Sequence, residues 1–222
     1  MTNVWLRRVL LVAPPLVLAV VLLWHPPGGD DVYEGVRDDV EAWMLVHTAF
    51  LIFTPLMGLA GYLLVSGLTG RAATVSRVGL LLFLVFYTAY EVTVGVGTGI
   101  LVEYANGLPA AEQDAVADAI QHLNRSDLVG DPASFSLLVG FFGWVIAMVA
   151  AAVAFRSAGA SWPIVVLIGM AAIFAIHPPP VGPIGLACFA AAAVLVERWR
   201  ADSGAQHDDP TDPIVPSEAF TN

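Results

Sequence analysis

The sequence predicts an all-α fold: a polytopic transmembrane bundle of six helices, with a short amphipathic helix in the outer loop between spans three and four. Three observations predict it. Of 222 residues, 58% are apolar and only 13% charged, far from the balance of a soluble domain. Several apolar runs exceed the roughly 18 residues that mark a bilayer span. The segments between them are too short to bury a core of their own, which excludes a soluble catalytic domain.

Other classes fall with the same arithmetic. The single cysteine, Cys188, lies in an apolar run, so no intrachain disulfide and no cysteine metal pair can form. A formal charge of −10 disfavours nucleic acid as a partner. No Walker loop, no His-Glu-x-x-His and no rhomboid-type Gly-x-Ser-Gly is present, so an enzyme is not indicated.

The first span is read over residues 5–24. It follows Arg7 and Arg8 like a signal peptide, but passes into His25-Pro26-Pro27 without a small-residue cleavage site, so it is retained. The next spans are read over 42–67, 78–102 and 135–155. The last two, 162–176 and 181–196, are about 15 residues each, or roughly 22 Å of helix against a hydrocarbon core of roughly 30 Å. They are read as two true spans, a re-entrant hairpin turning at His177-Pro178 being the alternative. Residues 1–200 thus form the membrane domain. Residues 201–222, acidic with Pro210, Pro213 and Pro216, read as a disordered tail.

Orientation follows from the arginines, since the chain has no lysine. With both termini cytoplasmic, Arg7, Arg8, Arg71, Arg77, Arg156, Arg198 and Arg200 lie inside, and only Arg37 and Arg125 outside. The outer loops then hold twelve of the nineteen acids, a surface on which a protein partner could dock. Between spans three and four, Val116, Ile120 and Leu123 share one face of a helix opened by Pro109 and stopped at Asn124. The absence of lysine beside abundant Ala, Val, Gly and Arg reads as GC-rich coding, which places the chain in a bacterial plasma membrane. The sequon Asn124-Arg125-Ser126 is discounted accordingly.

Few residues can carry chemistry. Glu91 is the one acid inside a span, where an ionisable group is expensive unless paired, solvated or protonated. Tyr87, Glu91, Gly95 and Gly99 follow at steps of four, so the acid shares its stripe with a small-residue packing motif and faces protein. His47 lies one to two turns below the outer surface, with Met44 three residues before it as a soft donor on the same face. His25 and His177 each precede a proline at the outer end of a span, where the helix dipole alone would account for an imidazole. With His122 in the loop above, four of five histidines gather on the outer side.

The expected site is therefore a metal ion or haem b held by His25, His47 and His177, with Met44 a further metal ligand. Glu91, Tyr87, Tyr90 and Thr54 form a polar cavity or proton relay beneath it. A proton-linked transporter or channel subunit using Glu91 is a second reading, and a non-catalytic accessory protein a third. Depths counted from the span edges put Glu91 about 9 Å below His47. A direct bond between them is not expected, and coupling would run through Thr54, Tyr90 or a buried water.

Overall fold

The computed structural model describes residues 4–26 and 31–207, and among them it is all-helical, without a strand. Five helices are long and apolar enough to cross a membrane: Val4–Trp24, Val40–Leu64, Arg71–Asn106, Phe135–Ser157 and Val181–Ser203. In chain order, α1 is Val4–Val21, continued by a 3-10 turn to Trp24, and α2 is the single turn Val32–Val36. The helices α3 (Val40–Leu64) and α4 (Arg71–Asn106) follow, then α5 (Ala110–Asn124) and α6 (Phe135–Ser157). Last come α7 (Trp162–Ala175) and α8 (Val181–His207).

The last two segments are not the matched short pair read from the sequence. Helix α7 has 14 residues and ends in a 3-10 stretch, whereas the apolar part of α8 alone has 23. The helix does not stop where its apolar run stops, because Arg198 and Arg200 are good helix formers that meet polar surroundings without leaving helical geometry. It therefore runs seven residues into the segment read as tail, and residues 208–222 lie outside the described residues.

Packing explains why α4 is not a plain α-helix. Residues Phe83–Tyr87 and Glu91–Val96 form wide π-turns on either side of one α-turn. Such turns leave backbone carbonyls free for other donors. The carbonyl of Gly95 uses that freedom, accepting from Trp43 Nε1 of α3 at 2.7 Å. On its other side α4 meets α6 along glycines. A Cβ on Gly79 would lie 2.6 Å from the Gly143 carbonyl, and one on Gly140 2.6 Å from the Tyr87 nitrogen, so the two backbones touch. That seam was not picked out from the sequence, although Gly140 and Gly143 stand one helical turn apart in an apolar run.

Two apolar clusters result. The larger joins α1, α3, α4, α6, α7 and α8, with Trp144 at its centre donating to the Ala171 carbonyl at 2.9 Å. The smaller packs Tyr33 and Val36 of α2 and Ile120 of α5 against Trp43, Val102 and Ala105. Asn124 fastens the end of α5 to α4 by donating to Thr98 Oγ1 at 2.9 Å.

At the opposite end of α3, three arginines close the helix. Its last carbonyls lack partners along the helix and attract cations. Arg7 donates to the Leu63 carbonyl, Arg200 to those of Leu64 and Ser66, and Arg77 to those of Val65 and Leu68. Glu197 ties Arg7 and Arg200 together at 3.0 Å each.

Candidate functional site

Four helices bring the site together. His25 follows the 3-10 turn that ends the first span, His47 sits two turns into α3, Tyr87 and Glu91 stand on the π-turns of α4, and His177 follows α7. The three imidazoles meet: ring centres are 5.0 Å apart for His25 and His177, 5.3 Å for His25 and His47, and 6.5 Å for His47 and His177. Trp43 stacks beside His47 at 4.2 Å, and Phe50 closes the floor against His177 at 5.3 Å.

Each histidine has its Nδ1 engaged. His25 Nδ1 lies 2.7 Å from the Pro26 carbonyl, which can only accept, so Nδ1 carries the proton. His47 Nδ1 is 2.8 Å from Glu91 Oε2, and His177 Nδ1 is 2.8 Å from the Tyr87 hydroxyl. Among the described residues, His25 Nε2, His47 Nε2 and Glu91 Oε1 are buried and have no hydrogen-bond partner. A neutral imidazole bonded through Nδ1–H turns a lone pair outward on Nε2, which is the form in which histidine binds metals. Burial also pushes the imidazoles of His25 and His177, both in connectors outside the helices, below the ordinary histidine range; for His25 the bond to Pro26 opposes this in part.

The direct bond between His47 and Glu91 corrects the 9 Å separation read from the sequence. Gly95, without a side chain, lets the His47 ring lie on α4, so His47 is level with Gly95 and not with the edge of the apolar run. Glu91 is four residues away from that level, and the π-turn winds those four residues into less axial length than an α-turn would. The side chains span the rest. Thr54 is buried with its hydroxyl unpartnered among the described residues, so it does not bridge the pair.

The other expected members are placed as follows. Tyr87 joins the site through His177, and Tyr90 lies beside Tyr87, with ring centres 6.2 Å apart. Tyr90 and His177 also line a side cavity of about 340 Å³ walled by Leu138, Phe141 and Phe142. The Met44 thioether lies against Gly99, one turn along α4 from Gly95, and the exposed His122 is on α5. Sequence reasoning missed Trp43, which fixes both His47 and the Gly95 carbonyl. Its place one turn before His47 was the available signal.

As they stand, no three His, Cys, Asp or Glu side chains among the described residues are arranged to hold a metal ion. The His47 and His177 rings are the farthest apart of the three pairs, and His177 Nδ1 meets the Tyr87 hydroxyl. No protein-family model matches the chain, and no curated protein or solved structure shows significant similarity to it.

Proposed function

We propose that this multi-pass membrane protein binds a first-row transition ion, copper or zinc, through Nε2 of His25, His47 and His177. One observation carries the reading: three imidazoles cluster, and His25 and His47 each have Nδ1 occupied and keep a buried, unpartnered Nε2. Imidazoles sharing a tetrahedral ion at about 2.0–2.1 Å have ring centres about 5–5.5 Å apart. Two of the three separations, 5.0 and 5.3 Å, already match, and a rotation of His177 supplies the third. Glu91 is then the carboxylate that orients His47 and raises its basicity. A haem fits poorly, because His25 touches both other rings and leaves no slot for a macrocycle between them.

In this reading the chain has six membrane segments, α7 being the short one, with both termini cytoplasmic, α5 covering the outer face and the ion held in the outer leaflet of a bacterial plasma membrane. The acidic outer loops remain available to a protein partner.

The test is elemental analysis and equilibrium titration of the purified protein with Cu(I) and Zn(II). One ion per chain, lost on replacing His25 or His47, is the expected result. Protein that takes up neither ion sinks the reading. The hydrogen-bonded pair His47 and Glu91, with Oε1 unpartnered, favours proton-linked transport as a second reading. Vesicle uptake abolished by Glu91→Gln in metal-free protein would select it.

A further inference from the structure

A separate cleft lies at the far end of the bundle, away from the histidines. The first and last spans pack against each other there, and a cleft of about 210 Å³ opens between them, lined by Arg8, Val12, Ala193, Val194, Glu197 and Arg198. Arg8 is on the second turn of α1, and Arg198 is near the end of the apolar part of α8. Both therefore stand at the level where a helix leaves the hydrocarbon and lipid phosphates begin.

The two arginines differ from their neighbours. Arg7, Arg77 and Arg200 are spent on the carbonyls that end α3, and Glu197 is held by Arg7 and Arg200. Arg8 and Arg198 are exposed and make no hydrogen bond or ion pair among the described residues. At this end Arg7, Arg8, Arg198 and Arg200 outnumber Glu197, which is already shared, and Asp202 one turn beyond Arg198, so the cleft attracts an anion. Its floor of Val12, Ala193 and Val194 is apolar and suits the start of an acyl chain, not a soluble ion.

We infer that the cleft between α1 and α8 binds an anionic phospholipid, its phosphate held by Arg8 and Arg198 and its glycerol and upper chain lying on Val12, Ala193 and Val194. Guanidinium suits phosphate because its planar fork matches two oxygens at once. The lipid staples the first span to the last where the bundle would otherwise open to the bilayer.

The experiment uses the full chain in an uncharged detergent, titrated with short-chain phosphatidylglycerol or with phosphatidylcholine of the same chains, and read by melting temperature and native mass spectrometry. Phosphatidylglycerol should raise Tm saturably and stay bound, and phosphatidylcholine should do neither. Arg8→Gln with Arg198→Gln should weaken the effect about tenfold or more. Arg71→Gln with Arg156→Gln, an equal change of charge elsewhere, should leave it intact. Val194→Trp, which fills the floor and keeps every charge, should also weaken it; if the arginine variant does not fold, this variant decides. Equal effects of the two lipids, an unchanged titration in Val194→Trp or the folded arginine variant, or the same Tm shift from chain-free glycerophosphoglycerol would overturn the proposal. Loss of metal binding has no bearing on any of these readouts.

Discussion

The two ends of α3 pose the same physical problem and answer it oppositely. At the Leu64 end, unpaired carbonyls are met by Arg7, Arg77 and Arg200, and Glu197 is bonded to two of these arginines. At the His47 end, polar atoms are brought together and then left short: Nε2 of His25 and His47 and Oε1 of Glu91 are buried without partners among the described residues. Leaving such a group unsatisfied costs about 1–3 kcal/mol. A satisfied network is what stability alone requires. Under the proposed reading, a bound ion would satisfy the two imidazole nitrogens left open here.

That contrast can be broken by substitution. The largest effect is expected for His25→Phe, which keeps a ring against Trp43 and His177 but removes the nitrogen proposed as a ligand. Ion affinity should fall at least about 100-fold while Tm changes by only a few degrees. A large loss of Tm with unchanged metal content would make the outer end structural, like the inner one. Glu91→Gln comes next, since it removes the carboxylate behind His47 and conserves shape: affinity should drop about 10- to 100-fold with folding retained. Silence in metal titration would show that Glu91 is only a buried partner.

Gly95→Leu should destabilise the bundle by about 1–3 kcal/mol, because the new side chain enters the space of the His47 ring. The same change at Gly169, which has nothing within 4 Å of an added Cβ, should shift stability by less than about 0.5 kcal/mol. Similar detergent melting curves for the two would remove the special role of the α3 and α4 contact. The smallest effect of interest is at the inner end. Arg200→Met deletes donors to the Leu64 and Ser66 carbonyls and to Glu197, for about 1–2 kcal/mol after allowing for partial exposure. Metal affinity should not move. If it does, the two ends are coupled and the comparison fails.

By itself the sequence determined that the chain is helical and apolar enough to cross a membrane, because lipid tolerates only helices and closed barrels, and unbroken apolar runs near ~20 residues fit the helix and not the short alternating strands of a barrel. It also singled out Glu91, as the one acid inside a span, and His25, His47 and His177, as histidines near span ends. Those are properties of one residue against its local background. Contacts between helices are different, since they depend on axial register, and register is set by where small side chains let backbones approach. Gly95 beneath His47 shortened a 9 Å offset to a 2.8 Å hydrogen bond, and the π-turns of α4 aimed Glu91 and freed the Gly95 carbonyl for Trp43. The glycine seam of α4 and α6, the turning of His177 onto Tyr87 and the arginine clasp on α3 were likewise decided only by tertiary structure. Each joins residues dozens of positions apart whose pairing no local periodicity encodes.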